Sequence, residues 1–311
     1  MQVSLASPRP LTNRFIVVIP AYNAAQTIAR AIGSVTTQRF DDLGIIIRND
    51  LSTDDTGKIC RRLFGIETAG GDFSATYAGK EILYIENSNK LYGGGNTYDS
   101  VMNWVHNPEA VVAVVDGDDH LLHPDAITRL SYAYRDADIW LAWSQHQSTA
   151  LKASGQTGYS NPLPGDDIIY SSRQYWSVSH FRSCKAWLFG LIDPEDLKDP
   201  FTGEQFFRVA ADAALLYPII EMCGNMHSRF IDEVLYAYED KLPTNEAAIY
   251  QGIQQEYTAF IRSKTPYRPL DHKAEAAGAF LAVDLTDRVK PMQRPGVPAF
   301  PAVVLPAPKK N

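Results

Sequence analysis

The stretch FIVVIPAYNAAQTIARAIGSVTTQ, residues 15–38, decides the fold of this 311-residue chain. It opens on an apolar run, Phe15–Ile19, that is typical of a strand buried on both faces of a sheet. Four residues then lead out of the strand and end in polar side chains: Pro20, Ala21, Tyr22 and Asn23. The following stretch, Ala25–Thr37, is compatible with a helix. A strand, a short connection and a helix in this order form the repeating unit of an α/β sheet.

The same alternation continues through the first half of the chain. Further apolar runs typical of strands lie at Gly44–Ile47, Ile82–Ile85, Val111–Val115 and Ile139–Trp143. Stretches compatible with helices lie between them, at Asp54–Phe64, Asn96–Val105 and Pro124–Arg135. Strands that are apolar throughout and alternate with helices predict a mostly parallel α/β sheet with helices on both faces.

The second half of the chain is less regular. We expect a long loop over Ser148–Asp167, a strand over Arg229–Tyr238, and helices over Phe181–Leu191, Gln205–Met222 and Glu246–Arg262. Prolines recur from Arg288 onward, so an extended or disordered tail is expected there. The predicted organisation is one domain over residues 1–240, with halves at 14–145 and 146–240, a helical extension over 241–287 and a proline-rich tail over 288–311.

Composition narrows the classes of protein that the chain can belong to. Hydrophobic residues make up 45% of it and charged residues 21%, which predicts a packed core, and the net charge of −7 argues against a general nucleic-acid coat. The three cysteines, Cys60, Cys184 and Cys223, form no CxxC pair and are expected to be buried thiols. The first residues lack the apolar run of a secretory signal, and no run reaches the roughly 18 residues of a membrane span. The sequence therefore predicts a cytoplasmic protein with no integral membrane segment.

Polar side chains follow each of the first four predicted strands. After Asn23 at the end of the first come Asn49 and Asp50 at the second, Asn87 at the third and the acidic run of residues 116–119 at the fourth. Ligands of parallel α/β sheets bind outside the carboxyl ends of the strands. The four polar strand ends therefore predict a ligand site along one edge of the sheet.

Three motifs in order, residues 15–38, GIIIRNDLSTDDT at 44–56 and VVDGDD at 114–119, resemble the GT-A glycosyltransferases of family 2 over approximately residues 14–240. The resemblance implies a Rossmann-like GT-A sheet and a nucleotide-sugar donor, a UDP-sugar by default. It implies that Pro20-Ala21-Tyr22-Asn23 lies along the base, that Asp50 accepts a hydrogen bond from it, and that Asn96, after a glycine-rich turn, lies near the donor. The chain departs from the family pattern at Asn49, usually Asp, and at Leu51, usually Gly.

The acidic run resembles the DxD signature of that family. The resemblance implies that Asp116 and Gly117 contact the donor and that a metal ion is held by Asp116, Asp118 and Asp119. A nucleoside diphosphate beside several carboxylates would be repelled without a divalent cation, and Mn²⁺ or Mg²⁺ suits oxygen ligands. Which of the three acids ligates the ion stays open. The alternative is an acidic cap before the helix near Pro124.

A further carboxylate, Asp212, is the only acid in the apolar run Val209–Ile220. An ionisable group in such a run is costly unless it is used or paired. The resemblance implies that Asp212 is the general base of an inverting transferase, although the Glu that often precedes this base is Ala211 here. An ion pair with Arg208 is the alternative.

Two aromatic stretches, SVSHFRS at 177–183 and the stretch with Tyr236 and Tyr238, contain the remaining residues of interest. In SVSHFRS, Arg182 could hold a phosphate or an acidic acceptor, and His180 is left open as a structural residue. Tyr236 and Tyr238 are expected to be core residues.

Together these features predict a metal-dependent, inverting glycosyltransferase that uses Mn²⁺ or Mg²⁺. Its acceptor would be a hydroxyl on a glycan, lipid, protein or modified nucleic acid. Two alternatives are a noncatalytic binder of nucleotide-sugars or glycans on the same scaffold, and a nucleotidyltransferase. The latter usually carries a basic, glycine-rich phosphate loop after its first strand, where this chain has residues 20–23. The donor sugar, the acceptor and the oligomeric state stay open.

Overall fold

The structure is a computed structural model of the protein, and it describes residues 4–66, 71–148, 160–163, 173, 176–239 and 251–271. The strands are β1 Ser4–Ala6, β2 Phe15–Ala21, β3 Leu43–Asn49, β4 Phe73–Tyr77, β5 Lys80–Glu86, β6 Val111–Val114, β7 His120–Leu121, β8 Leu141–Ser148, β9 Arg182–Lys185 and β10 Ser228–Tyr238. The α-helices are α1 Ile28–Thr36, α2 Thr56–Leu63, α3 Tyr92–Trp104, α4 Ala126–Ser131, α5 Ala211–Cys223 and α6 Gln251–Ser263. Short 3₁₀ helices follow at Tyr132–Arg135, Ala186–Leu191 and Pro194–Leu197.

All ten of these strands join one sheet in the order β1-β4-β5-β3-β2-β6-β9-β8-β10-β7. The four central strands, β5, β3, β2 and β6, are parallel, as predicted, and Val18 of β2 pairs with Ile46 of β3 and Val114 of β6. Antiparallel strands flank this centre: β4 and β1 on one side, and β9 between β6 and β8 on the other. The α/β fold class is confirmed.

The core has two layers because the sheet is buried on both faces. Along β2, Ile16 and Val18 join a cluster with residues of α3, α5 and α6. Phe15, Val17 and Ile19 point the other way, into a cluster with residues of α1, α2 and α4. This alternation follows from the period of two in a strand, and apolar side chains on both faces explain why β2 is apolar throughout.

Two of the predicted helices are partly wrong. Residues 182–185, inside the predicted helix over Phe181–Leu191, form strand β9, because β6 and β8 provide hydrogen-bonding partners on both sides. Such long-range pairing overrides local helix propensity. The helix predicted from Gln205 begins at Ala211, because the preceding Ala210 has a left-handed φ of 54° that a right-handed helix cannot contain.

Other expectations fall partly or wholly outside the described residues. These are most of the loop over Ser148–Asp167, the start of the helix over Glu246–Arg262, and the tail over 288–311. Where the structure describes helices, none is both long and apolar enough to cross a bilayer.

Candidate active site

A cavity of about 430 Å³ opens at the carboxyl ends of β2, β3 and β6. The starts of α3 and α5 and the strand β9 close it from the other side. Its lining contains most of the site residues predicted from the sequence: Pro20, Ala21, Tyr22, Asn23, Asp50, Asn96, Asp116, Gly117, Asp118, Arg182 and Asp212. The fold therefore brings both halves of the predicted domain to one cavity. The exception is Asp119, whose side chain is buried behind the wall.

The ends of β2 and β3 are tied together at one end of the cavity. Asn23 Oδ1 accepts a hydrogen bond from the Thr53 N–H (2.8 Å), and the Asn23 N–H donates to Ser52 Oγ (3.0 Å). Asn23 and Leu51 have left-handed φ angles of 49° and 60°. Glycine adopts this conformation without strain, so Leu51 is strained at a position where the resemblance leads one to expect glycine.

Asp50 is buried beneath the same part of the cavity. Its carboxylate accepts hydrogen bonds from the main-chain N–H groups of Leu91 and Tyr92 (both 2.9 Å) and from Asn87 Nδ2 (2.7 Å). Lys90 Nζ lies 3.3 Å from its Oδ2. These donors fix residues 87–92 against β3. A hydrogen bond to a nucleotide base at Asp50 would have to be shared with them.

Asn96 belongs to the same buried network. Its Oδ1 accepts a hydrogen bond from Asn87 Nδ2 (2.7 Å), and its own Nδ2 donates to the Tyr92 carbonyl (2.7 Å). Asn87, at the predicted polar end of the third strand, thus joins Asp50 to Asn96 and holds the start of α3 at the cavity.

The glycines of the predicted turn lie in the first turn of α3. A Cβ on Gly95 would lie 2.4 Å from the ring of Phe206, and one on Gly94 would meet the main chain of Ala211. A Cβ on Gly93 would have open space around it. The glycines therefore allow α3 to approach the segment that leads into α5.

The acidic loop of residues 116–119 lies against the end of β2. The Gly117 N–H donates to the Pro20 carbonyl (2.9 Å), and a Cβ on Gly117 would lie 2.9 Å from the Cβ of Ala21, so this position requires glycine. Asp116 and Asp118 line the cavity. The buried Asp119 accepts a hydrogen bond from the Glu239 N–H at Oδ1 (2.8 Å) and one from the Tyr236 hydroxyl at Oδ2 (2.7 Å).

The three acids carry a strong electrostatic cost when no cation is near. Burial raises the pKa of Asp116, an effect that the Arg182 guanidinium opposes. Burial and the charge of Asp116 raise the pKa of Asp118 to about 6. Burial, with the charges of Asp118 and Asp116, raises the pKa of Asp119 well above its usual range. Mutual repulsion of buried carboxylates is what a bound cation would relieve.

His180 adds a nitrogen to this group. Its Nδ1 lies 3.8 Å from Asp116 Oδ2, and its ring stacks between Tyr236 and Tyr238 with centroid distances of 4.8 and 5.0 Å. Burial, assisted by the charge of Arg182, lowers the pKa of His180 well below its usual range, so the imidazole is neutral. A neutral imidazole can ligate a metal ion.

Where side chains are described, one group of three ligand atoms lies within 4.8 Å of one another, from Asp116, Asp119 and His180. The two carboxylates suit Mn²⁺ or Mg²⁺, and the added imidazole, a softer ligand, favours Mn²⁺ over Mg²⁺. Asp118 lines the cavity but stands outside this group. Sequence reasoning had left His180 without this role, and its signal was a lone polar ring in an aromatic stretch.

Asp212 lies in the first turn of α5, on the other side of the cavity. Its side chain is 43% exposed, and its Oδ1 accepts a hydrogen bond from the Ala213 N–H (2.8 Å). The described ion pair of Asp212 is with Arg182, whose Nη1 lies 3.7 Å from Oδ2. Arg208, the partner considered from the sequence, donates from Nε to the Tyr257 hydroxyl (3.0 Å). The buried Arg182 Nη1 makes no hydrogen bond within the described part of the chain.

Comparison with known proteins gives a family and a fold. Residues 16–186 match the family described as Glycosyl transferase family 2. Among curated proteins, Glycosyltransferase GlyA of Streptococcus pneumoniae serotype 4 (strain ATCC BAA-334 / TIGR4) is 29% identical over 77 residues. That stretch covers 25% of this chain and 9% of GlyA, so the chain spans only a small part of that relative.

Among the similar solved structures, two that cover most of the chain have bound nucleotides. S. aureus TarS 1-349 in complex with UDP-GlcNAc has a TM-score of 0.53 and 16% identity, covering 86% of this chain and 71% of that one. Glucosyl-3-phosphoglycerate synthase from Mycobacterium tuberculosis, in complex with Mn²⁺, uridine-diphosphate and glucosyl-3-phosphoglycerate, has a TM-score of 0.51 and 16% identity, covering 80% of both chains. At these identities the likeness is one of fold.

Proposed function

The chain belongs to glycosyl transferase family 2, and from this membership we propose that it is an enzyme that moves a sugar from a nucleotide-sugar donor to an acceptor hydroxyl. The observation that carries the proposal is that one cavity is lined by the polar ends of β2 and β3, the acidic loop and Asp212 together. A transferase needs three neighbouring regions of this kind. One binds the base, one binds the diphosphate, and one lies beside the acceptor hydroxyl.

We take the donor to be a UDP-sugar. Residues 20–23 and the segment organised by Asp50 form the end of the cavity where the base would lie. The similar TarS structure contains UDP-GlcNAc, and the similar synthase contains uridine-diphosphate, which supports a uridine donor. Residues 20–23 also form no basic, glycine-rich loop, which disfavours the nucleotidyltransferase alternative.

The acidic loop would hold Mn²⁺ or Mg²⁺, with His180 added to the predicted ligands Asp116, Asp118 and Asp119. A divalent cation bound there would supply positive charge to the diphosphate leaving group as its bond to the sugar breaks. The close approach of the Asp116 and Asp119 carboxylates and the neutral imidazole of His180 support this assignment.

Asp212 would accept the proton of the acceptor hydroxyl, whose oxygen then attacks the anomeric carbon from the face opposite the leaving group. This geometry inverts the anomeric centre. The exposure of Asp212 within the cavity supports its access to an acceptor. Arg182, with Nη1 free of hydrogen bonds in the described structure, would orient the Asp212 carboxylate and contact a phosphate oxygen of the donor.

The test pairs donor binding with turnover. A panel of nucleotide-sugars with Mn²⁺ or Mg²⁺ is screened by thermal shift, since a ligand that binds only the folded state raises the melting temperature. The nucleotide released from the best donor is then measured in wild type and in Asp212→Asn. We expect the variant to keep the thermal shift and lose turnover. Wild-type turnover in Asp212→Asn would remove the base assignment. A thermal shift without turnover in the wild type would favour the noncatalytic binder.

A further inference from the structure

The hydroxyl of Tyr236 connects the two ends of the acidic loop. It accepts a hydrogen bond from the Asp116 N–H (3.1 Å) and donates one to Asp119 Oδ2 (2.7 Å). The Tyr236 ring stacks on His180, with centroids 4.8 Å apart and planes 14° apart. One side chain therefore contacts every member of the group formed by Asp116, Asp119 and His180.

We propose that Tyr236 is a positioning residue, which holds the acidic loop and His180 in a cation-binding arrangement before the cation arrives. The inference rests on the proposed function, because it deepens the metal site described there. The expectation that Tyr236 is a core residue is confirmed for its ring, and the proposal adds a role for its hydroxyl.

Packing alone does not account for this residue. A phenylalanine would fill nearly the same volume, whereas a buried hydroxyl costs free energy unless it is hydrogen-bonded. Here the hydroxyl makes two hydrogen bonds, one of them to a carboxylate. The three neighbouring acids of the loop repel one another when they are ionised, and the two hydrogen bonds of the Tyr236 hydroxyl oppose that repulsion. Groups that orient ligands in this way commonly change metal affinity by 10–100-fold when they are removed.

The main chain at Glu239 supplies a second anchor. Its N–H donates to Asp119 Oδ1 (2.8 Å), so each oxygen of Asp119 receives one hydrogen bond from β10 or the residue after it. A carboxylate oxygen has two lone pairs, and Asp119 thus keeps acceptor capacity for a cation while its orientation is fixed.

The same molecule contains a matched control. Tyr267 is 1% exposed, compared with 0% for Tyr236, and its hydroxyl also bridges two aspartates three residues apart. It accepts a hydrogen bond from the Asp193 N–H (2.8 Å) and donates to Asp196 Oδ2 (2.7 Å). This second bridge lies outside the cavity lining, and Lys264 Nζ contacts Asp196 Oδ1 at 3.2 Å. Removing either hydroxyl should therefore have similar structural effects, but only Tyr236 should influence a cation in the cavity.

The experiment compares Tyr236→Phe with Tyr267→Phe in the full chain without any nucleotide-sugar. Binding of Mn²⁺ is followed by the electron paramagnetic resonance signal of the free ion, and stability by thermal unfolding. We expect Tyr236→Phe to weaken Mn²⁺ binding by about tenfold, Tyr267→Phe to leave it unchanged, and the melting temperatures of both variants to fall by similar amounts.

Each other outcome has a defined meaning. Wild-type Mn²⁺ affinity in Tyr236→Phe would overturn the positioning role and leave the proposed metal site standing. Absence of Mn²⁺ binding in the wild type would overturn both. If Tyr236→Phe does not fold, Mn²⁺ binding is measured in Glu239→Pro instead. The proline removes the Glu239 N–H that donates to Asp119 and leaves Tyr236 in place. Glu239→Ala is the control, because it removes the same side chain but keeps the N–H. An unchanged Mn²⁺ affinity in a folded Glu239→Pro would then overturn the inference that hydrogen bonds to Asp119 position the loop for the cation.

Discussion

A Cβ atom on Gly94 would lie 2.6 Å from the main-chain oxygen of Ala211, the residue before Asp212. Contacts under 3 Å between such atoms are strongly repulsive, and here the clashing atom is main chain. The first turn of α3 and the first turn of α5 thus touch through a position that only glycine fills. The position of the proposed base therefore depends on a residue of the predicted half over 14–145.

Gly94→Ala should displace Asp212 and lower kcat for transfer. A displacement of about 1 Å at a reacting group can cost on the order of 10²-fold in rate, and we expect a loss of that order with a smaller change in donor affinity. Steady-state transfer kinetics and donor binding by calorimetry measure the two effects. Gly33→Ala is the control, because this glycine lies in α1, outside the cavity lining, and its Cβ would also meet open space. Equal kcat values in the two variants would contradict the inference that Gly94 determines the position of Asp212.

Leu51→Gly should stabilise the protein. The left-handed φ of 60° strains a leucine by about 1–2 kcal/mol, whereas the greater freedom of glycine in the unfolded chain costs about 0.5–1 kcal/mol. The expected net gain is up to about 1.5 kcal/mol in the free energy of unfolding, measured with urea. Leu63→Gly is the matched control, since Leu63 has a similar exposure, 36% compared with 43%, but lies in α2. Glycine at this last helical position should destabilise by up to about 1 kcal/mol, the cost of glycine in a helix interior. A loss of stability in both variants would argue against strain at Leu51.

The native protein should resist thiol reagents at pH 8. All three cysteines are buried, as expected from the sequence. Burial raises the pKa of Cys60 to about 12 and also raises those of Cys184 and Cys223. Since the thiolate is the reactive form, a chromogenic disulfide reagent should label the folded protein slowly and all three thiols at once in denaturant. Rapid labelling of native protein would show that a cysteine opens to solvent.

Glu86 should contribute to the pH dependence of stability. Burial by itself raises the pKa of this carboxyl, but hydrogen bonds from Arg61, the Gly71 N–H and Tyr84 outweigh burial and leave the pKa below its ordinary value of 4.5. A lowered pKa in the folded state means that the contribution is present above pH 4.5 and is lost as the pH falls through the lowered value. Thermal unfolding between neutral and acidic pH should therefore show a shallower acid slope for Glu86→Gln than for wild type. Identical slopes would mean that Glu86 titrates alike in both states.

The sequence predicted the centre of the sheet because its information there is local. Apolar runs such as Phe15–Ile19 and Val111–Val115 are bounded by polar ends, and parallel strands bring such ends to one edge. The same logic brought Asp50 and Asp116 to one cavity. Asp212 could be singled out because a lone acid in an apolar run is rare enough to require an explanation.

The features that could not be predicted depend on contacts between residues that are distant in sequence. Strand β9 has partners 70 or more residues before it in β6, and no local period reveals them. The Tyr236 hydroxyl contacts residues of the acidic loop that are 117 and 120 positions away in the sequence. Nothing in the local sequence therefore distinguishes it from an ordinary core tyrosine. Asp50 was expected to face a ligand, yet its internal donors become visible only when residues 87–92 are folded against it.

The insertion of β9 between β6 and β8 also has a consequence for synthesis on the ribosome. Strands β2, β3, β5 and β6 are contiguous with their own helices and can assemble as soon as they emerge. Until residues 182–185 follow, β6 presents a free row of main-chain donors and acceptors along one side, and unpaired edges of this kind promote aggregation. A fragment that stops before β9 should therefore require a chaperone that the longer chain does not.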